Sequence, residues 1–218
     1  MSTFEKSELN RVVRGPKRAT YDRSDVYKIL DDHYICHLTY LFNGTPMAIP
    51  TGYGRLNDTI YLHGAVANRS LNALLDASQV SVTVTHLDGL VLARSAFHHS
   101  FNYRSAVIFG KPKLIEDDVE KMKALEIITN NIIPDRWDEV RQPNEKELKI
   151  TKVIALDITQ ASAKIRTGPP VDDTEDYQLP IWAGVLPLSS QYETPIPDDQ
   201  NLRNVEISDA VIKAKFNN

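Results

Sequence analysis

The stretch VSVTVTHLDGLVLARSAFHHSFNYRSAVIFG, residues 80–110, decides the fold. Val80, Val82 and Val84 alternate with Ser81, Thr83 and Thr85, the period-two pattern of a strand that buries one face and leaves the other wet. Asp88-Gly89 reads as a turn, and LVLARSAF and YRSAVIFGKP read as the next two strands. Between them lie His98 and His99 with Ser95, Ser100, Asn102, Tyr103, Arg104 and Ser105, so the polar segment is either a ligand's cradle or an ordinary polar hairpin. Neighbours on a regular strand point to opposite faces, which keeps His98 and His99 from ligating one metal ion together.

Outward from this block, YICHLTYLF and TPMAIPTGYG flank Asn43-Gly44, a pair that tolerates the positive φ angles of a tight hairpin turn. TIYLHG follows the turn RLND as a further strand, and VIALDITQASAKIR reads as one long late strand. Helical spacing marks three segments. Ser24 caps DVYKILDDH; NRSLNALLDA places Leu71, Leu74 and Leu75 on one side; DDVEKMKALEIITNNII places Val119, Met122, Leu125 and Ile128 on one side and stops before Pro134. About six antiparallel strands with flanking helices predict a mainly β fold, a small split β-barrel. One domain is expected over 24–166, after a polar arm (1–23) and before a proline-rich, acidic extension (167–218). The apolar island LPIWAGVLPL in that extension calls for packing on the barrel or on a partner chain.

Composition excludes several classes. A formal charge of −4 over 218 residues gives no general attraction to nucleic acid or to an anionic membrane, although Arg11, Arg14, Lys17, Arg18 and Arg23 make the start locally basic. Cys36 is the single cysteine, which rules out an intrachain disulfide and a cysteine-rich metal site. No apolar run approaches a membrane span, and a cytoplasmic protein is expected.

Two further segments suit a ligand. HGAVANRS, residues 63–70, lies where a strand passes into a helix, so backbone amides and Arg69 would meet an anion such as a phosphate; the same letters also fit a bare turn at Gly64 with Asn68 as cap. AIPTGYG, residues 48–54, puts Pro50, Gly52 and Gly54 where ladder pairing weakens, as at a ligand's approach or a barrel corner. No nucleophile-elbow pattern is present.

PKRATYD, AIPTGYG, IYLHGAVANRS, the block at 80–110 and KIRTGPPVDDTEDYQLPIWAGVLPL together resemble the pyridoxamine 5′-phosphate oxidase-like superfamily of FMN-binding split barrels, in particular its branch related to nitroimidazole reductases. The resemblance spans roughly residues 14–190. It implies a homodimer with FMN at each interface, with Ile49, Pro50, Thr51 and Tyr53 along the ring and ribityl chain. In the same way it places His63 and Gly64 beside the flavin and Asn68, Arg69 and Ser70 on its phosphate. His98, His99, Asn102, Tyr103 and Arg104 are implied to border the phosphate, ribityl chain or ring edge. Two departures bear on activity: Ser70 stands where the oxidases carry a phosphate-gripping lysine, and the ending KAKFNN lacks their arginine-leucine-x-proline signature, which argues against pyridoxamine phosphate oxidation itself.

The expected activity is an FMN-dependent oxidoreductase that takes reducing equivalents from NADH or NADPH to a small acceptor. Thr51 and His63 are the candidate catalytic side chains, and Trp182 is a candidate for covering the substrate. A flavin carrier or redox sensor without turnover, and a haem-binding split barrel with a histidine as axial ligand, are the alternatives.

Overall fold

The computed structural model describes residues 2–202 and 205–216. In chain order the elements are β1 (Ala19–Thr20), α1 (Arg23–Asp31), β2 (Ile35–Phe42), β3 (Thr45–Gly52), β4 (Gly54–Leu56), β5 (Thr59–Ala65), α2 (Arg69–Leu75), β6 (Val80–Leu92), β7 (Ser100–Gly110), β8 (Pro112–Ile115), α3 (Asp118–Ile132), α4 (Glu145–Ile150), β9 (Thr151–Asp157), β10 (Gln160–Arg166), β11 (Gly184–Pro187) and α5 (Asp209–Phe216). Every strand pairing is antiparallel, and the strands form two sheets. One has seven strands in the order β1-β10-β7-β6-β2-β3, with β11 added beside β6, and the other has four in the order β4-β5-β9-β8. The sheets do not close into a continuous barrel, which leaves the split form of the expected class.

The chain passes between the sheets at three short links. Between β3 and β4 it turns at Tyr53, with Gly54 packed so tightly under α3 that a Cβ would lie 2.8 Å from the backbone of Ile127 and Ile128. Between β7 and β8 it turns at Gly110, where a Cβ would lie 2.1 Å from the Asp157 carbonyl oxygen. The third link, Ile158-Thr159, divides VIALDITQASAKIR into β9 and β10, so what reads as one strand serves two sheets. Continuous β-branched letters cannot show where a chain changes sheet, because both halves keep the same alternation.

Asn43 (φ 49°) and Gly44 (φ 77°) make the predicted hairpin turn. Asp88-Gly89 does not turn the chain: β6 runs straight through it, and the register slips by one residue against β7 between Leu87 and Gly89, a bulge rather than a hairpin. Ser24 lies inside α1, whose cap position is held by Asp22. On α3 the buried side chains are Ala124 and Ile128, while Val119 is exposed.

The core lies between the sheets under α1. One row, Leu38–Val82–Ile108–Ala161, runs in register across β2, β6, β7 and β10 and is fully buried. Val26, Ile29 and Leu30 of α1 close one side, and Ile60, Leu62, Ile154 and Leu156 of the smaller sheet close the other. The next row, Pro50–His37–Thr83–Val107–Ser162, points the opposite way. Along it His37 and Pro50 are exposed and Thr83 and Val107 half-buried, while Ser162 at the β10 end is buried, so this face of the large sheet is open toward β3. A compact 24.6-kDa chain exposes about 10,000 Å². This one exposes 14,372 Å².

Candidate functional site

β3 is the edge of the large sheet. Ile49, opposite Leu38, is half-buried against the core, whereas Pro50, opposite His37, is exposed on the outer face. Thr51 sits opposite Cys36 and its hydroxyl donates to the Gly52 carbonyl at 3.4 Å. Tyr53 departs from expectation: it is 1% exposed, its hydroxyl donates to the Leu30 carbonyl, and burial holds that hydroxyl far above its ordinary pKa. It belongs to the core rather than to a ligand, because the sheet crossing turns it inward.

At the start of α2, Asn68 caps the helix by accepting from the Leu71 amide at 3.1 Å. Gly64 is required by the same packing, since a Cβ there would lie 2.9 Å from Leu71 Cδ1. Arg69 lays its guanidinium 4.7 Å from the Phe42 ring centroid and lines a cleft of about 510 Å³ with Leu41, Asn43, Asn72 and Asp76. Ser70 Oγ accepts from the Tyr40 hydroxyl at 2.9 Å and keeps its own hydrogen for donation. Leu62 and Gly64 face the core and α2, so His63, between them, projects from the opposite face of the small sheet. The structure therefore separates His63 from Arg69. His63 is exposed at the surface, and the protein around it lowers the pKa of its imidazole.

The histidine pair has a different setting from the one its composition suggests. Residues 96–98 form a 3-10 turn, in which His98 Nε2 lies 3.2 Å from Asp173 and His99 Nδ1 lies 2.9 Å from the Ser95 carbonyl. Asn102 is buried and donates to the Gly168 carbonyl at 3.1 Å. Arg104 is no free phosphate ligand: Nε and Nη2 donate to Asp88 at 3.1 Å and Nη1 donates to Asp32 at 2.9 Å. The Arg94 guanidinium is likewise spoken for. With the backbone amides of Arg94 and Ser95 it meets Asp172, whose side chain is 0% exposed. Burial pushes that carboxyl up, but these donors outweigh it and leave its pKa lowered. The segment thus forms a socket that receives residues 166–178. Sequence reasoning missed this role because Asp172 lies far along the chain, in a run that reads as solvated.

The socket and Arg69 stand at opposite ends of the molecule. Thr39 pairs with Ser81, which puts Tyr40, and with it Ser70, level with Val80, whereas Val91 pairs with Ser100. Val80 and Val91 are eleven steps apart along β6, about 35 Å at about 3.3 Å per step. Within one chain His98 and His99, beside Ser100, therefore lie far from Arg69, whereas Arg104, paired with His86, is six steps from Val80 along β6, about 20 Å at about 3.3 Å per step. Trp182 is 69% exposed and rests its ring on Gly184. Another unforeseen cluster lies beside α1: the His33 and His86 rings are 4.8 Å apart, and His86 Nε2 is 2.9 Å from the Ile29 carbonyl. The KAKFNN ending extends past the described residues at Asn217 and Asn218.

Among the described residues no three His, Cys, Asp or Glu side chains gather to hold a metal ion, and no helix is long and apolar enough to cross a membrane. The arrangement offers hydrogen-bond donors, cations and an uncovered sheet face rather than a nucleophile with its base. It suits a chain that holds a reactive group.

Comparison with known proteins agrees. The chain is similar to the flavocytochrome Anf3 from Azotobacter vinelandii, at 39% identity over 95% of this chain and 97% of that one, with a TM-score of 0.90. It is also similar to the FAD and haem binding protein from Mycobacterium smegmatis, at 35% identity over 91% and 97% of the two chains, with a TM-score of 0.87. A candidate 5-nitroimidazole antibiotic resistance protein from Bacteroides thetaiotaomicron follows at 25% identity, 67% and 86% coverage and a TM-score of 0.58. No curated protein sequence matches. The profile of pyridoxamine 5′-phosphate oxidase matches residues 22–165, and with the split sheets and their glycine crossings this establishes that the chain belongs to the pyridoxamine 5′-phosphate oxidase family, within its flavin-binding split-barrel fold.

Proposed function

We propose that this protein is a flavin-binding redox protein of the flavocytochrome kind, acting as a homodimer. The observation that carries the reading is the full-length similarity to two solved proteins whose names pair a flavin, or flavocytochrome character, with haem. The expected FMN accordingly widens to a flavin nucleotide, FMN or FAD.

The uncovered sheet face and the surface excess of about 4,000 Å² support the dimer, since stable homodimer interfaces often bury about 2,000 to 5,000 Å² in total. A two-fold arrangement would also bring the far end of one protomer to the Arg69 end of its partner, which a single chain cannot do. In this reading the flavin lies along the β3 edge, against Ile49, Pro50 and Thr51. Arg69 supplies charge and Ser70 a hydroxyl to its phosphate, and His98 to Arg104 approach from the partner subunit. Thr51 is placed to hold a hydrogen bond at the ring edge.

The chain also fits a haem. His63 is exposed, has its pKa lowered, has no hydrogen-bond partner among the described residues, and lies on a strand that leads to exposed Val66, whose amide donates at 3.0 Å to the carbonyl of Ile150, which is also exposed. A neutral imidazole beside an apolar patch is what axial ligation requires. His63 would hold the iron. Bound flavin supplies hydride and single-electron transfer and haem supplies single-electron transfer; the protein orients both and excludes water. NADH or NADPH is the proposed donor and a small molecule the proposed acceptor.

An absorption spectrum of the purified full chain, repeated after addition of a flavin nucleotide, haem and then NADH or NADPH without oxygen, tests the reading. Flavin bands and a Soret band are expected together. The Soret band should vanish in His63→Ala while the flavin bands stay; a protein taking up neither group would overturn the proposal. Flavin bands that do not bleach would leave a carrier or sensor.

A further inference from the structure

Among the described residues Arg166, at the end of β10, is the buried basic side chain, and it has no ion pair. Arg94 and Arg104 each face a carboxylate, as do Arg23, Arg55, Arg136 and Arg141. Arg166 does not. It is 8% exposed, and its guanidinium donates only to neutral oxygens: the Asn102 side chain, the Gly168 carbonyl at 3.2 Å and the Pro169 carbonyl at 3.1 Å. Those bonds occupy three of five N–H donors. Among the described residues the only buried side-chain nitrogen or oxygen without a partner is Arg94 Nε, so Arg166 Nε, which has no partner either, retains solvent access.

Arg18 puts a charge of the same sign near Arg166, and Tyr103 acts more weakly in the opposite direction. Burial first, and then Arg18, pulls its pKa below the ordinary arginine value. Gly15, in the left-handed region at φ 66°, turns the N-terminal arm so that residues 16–18 form a 3-10 turn beside β10; a Cβ on Gly15 would lie 3.7 Å from Lys164 Nζ. Lys164 and Arg166 point to the same face of β10, beside Ser105 and Tyr103 of β7. Among the described residues Arg18, Lys164 and Arg166 make no ion pair. Gathering three cations, one largely buried, on a chain of net charge −4 opposes folding unless an anion is bound there.

We propose that Arg166, Lys164 and Arg18 form a binding site for the phosphate or pyrophosphate group of a nucleotide-class ligand. A recessed, backbone-anchored guanidinium with spare donors suits a small oxyanion better than a broad protein surface, because its fork is oriented in advance and the two mobile cations can close over the anion. The group comes either from a flavin nucleotide whose phosphate is seated here instead of at Arg69, or from a separate phosphorylated molecule. The site stands independently of the flavin reading, since Lys164 and Arg166 share one face of β10 and Arg18 acts on Arg166, all within one chain.

Titration calorimetry of inorganic pyrophosphate into the full chain, flavin-loaded and flavin-stripped, tests this, with Arg166→Gln and the double variant Lys164→Gln/Arg18→Gln beside the parent. Binding to the parent is expected, about tenfold weaker in each variant. The double variant leaves the Asn102 and Gly168 anchors intact and decides the matter if Arg166→Gln does not fold. Pyrophosphate that binds only the stripped protein identifies the flavin as the source of the group; pyrophosphate that also binds the loaded protein identifies a separate ligand. Both outcomes support the site. No binding to either form of the parent, or affinity in the folded variants within twofold of the parent, overturns it, and neither result depends on whether flavin is present.

Discussion

Gly110 shows how a single missing methyl group permits the fold. Its Cβ would overlap the Asp157 carbonyl at 2.1 Å, a backbone contact that no rotamer can relieve. Gly110→Ala should cost about 3 kcal/mol or more, read from the midpoint of urea unfolding. Gly44→Ala makes a useful contrast: nothing lies within 4 Å of its Cβ position, but φ is 77°, so only the left-handed strain of about 1 to 2 kcal/mol is expected. His33 governs a second residue-scale property. Burial, then His86, His37 and Arg104, lower its pKa below the ordinary 6.5, and its Nδ1 accepts from the Tyr34 amide at 3.0 Å and the Ile35 amide at 3.2 Å. The folded chain therefore binds protons less readily than the unfolded chain. Stability from this group is complete above pH 6.5 and declines as pH falls from there toward the lowered folded value. The thermal midpoint should drop as pH falls below 6.5, and His33→Gln should flatten that slope.

Among the elements, the extension is attached at several points: Asp172 in the socket, β11 beside β6, Tyr192 on Tyr34, and α5, where the Ala210 amide donates to Glu139 at 2.9 Å. Asp172→Ala leaves Arg94 without its carboxylate and should speed proteolytic cleavage after residue 166 several-fold, while the sheets stay resistant. Equal cleavage rates in the two proteins would show that the other attachments anchor the segment without Asp172. The elements also differ in how readily they are read from the sequence. The Asn43-Gly44 hairpin and the strand at Val80 were legible because turn chemistry and alternation are local properties. Asp88-Gly89 carries the same turn letters but is a bulge in one continuous strand, since its partner β7 is long enough to pair on both sides of it. Local composition cannot report the length of a partner.

Over the whole molecule, exposed surface and an uncovered sheet face lead to one prediction. Sedimentation equilibrium should give twice the chain mass of 24.6 kDa. Val107→Glu, on the outer face beside Thr83, should be nearly silent in a monomer but should yield monomers in a dimer and release the flavin. A dimeric variant that retains flavin would move the interface elsewhere. The class of fold, its antiparallel strands, the helix at Arg69 and the family were all within reach of the sequence, because alternation, caps and motifs are carried by neighbouring residues. Only the tertiary structure decided that Tyr53 is core, that Arg104 is neutralised by Asp32 and Asp88, that the histidine pair lies about 35 Å from Arg69, and that Arg166 is buried without a carboxylate. Each of these depends on which distant segment meets which, and a side chain's charge and burial are properties of its neighbours in space.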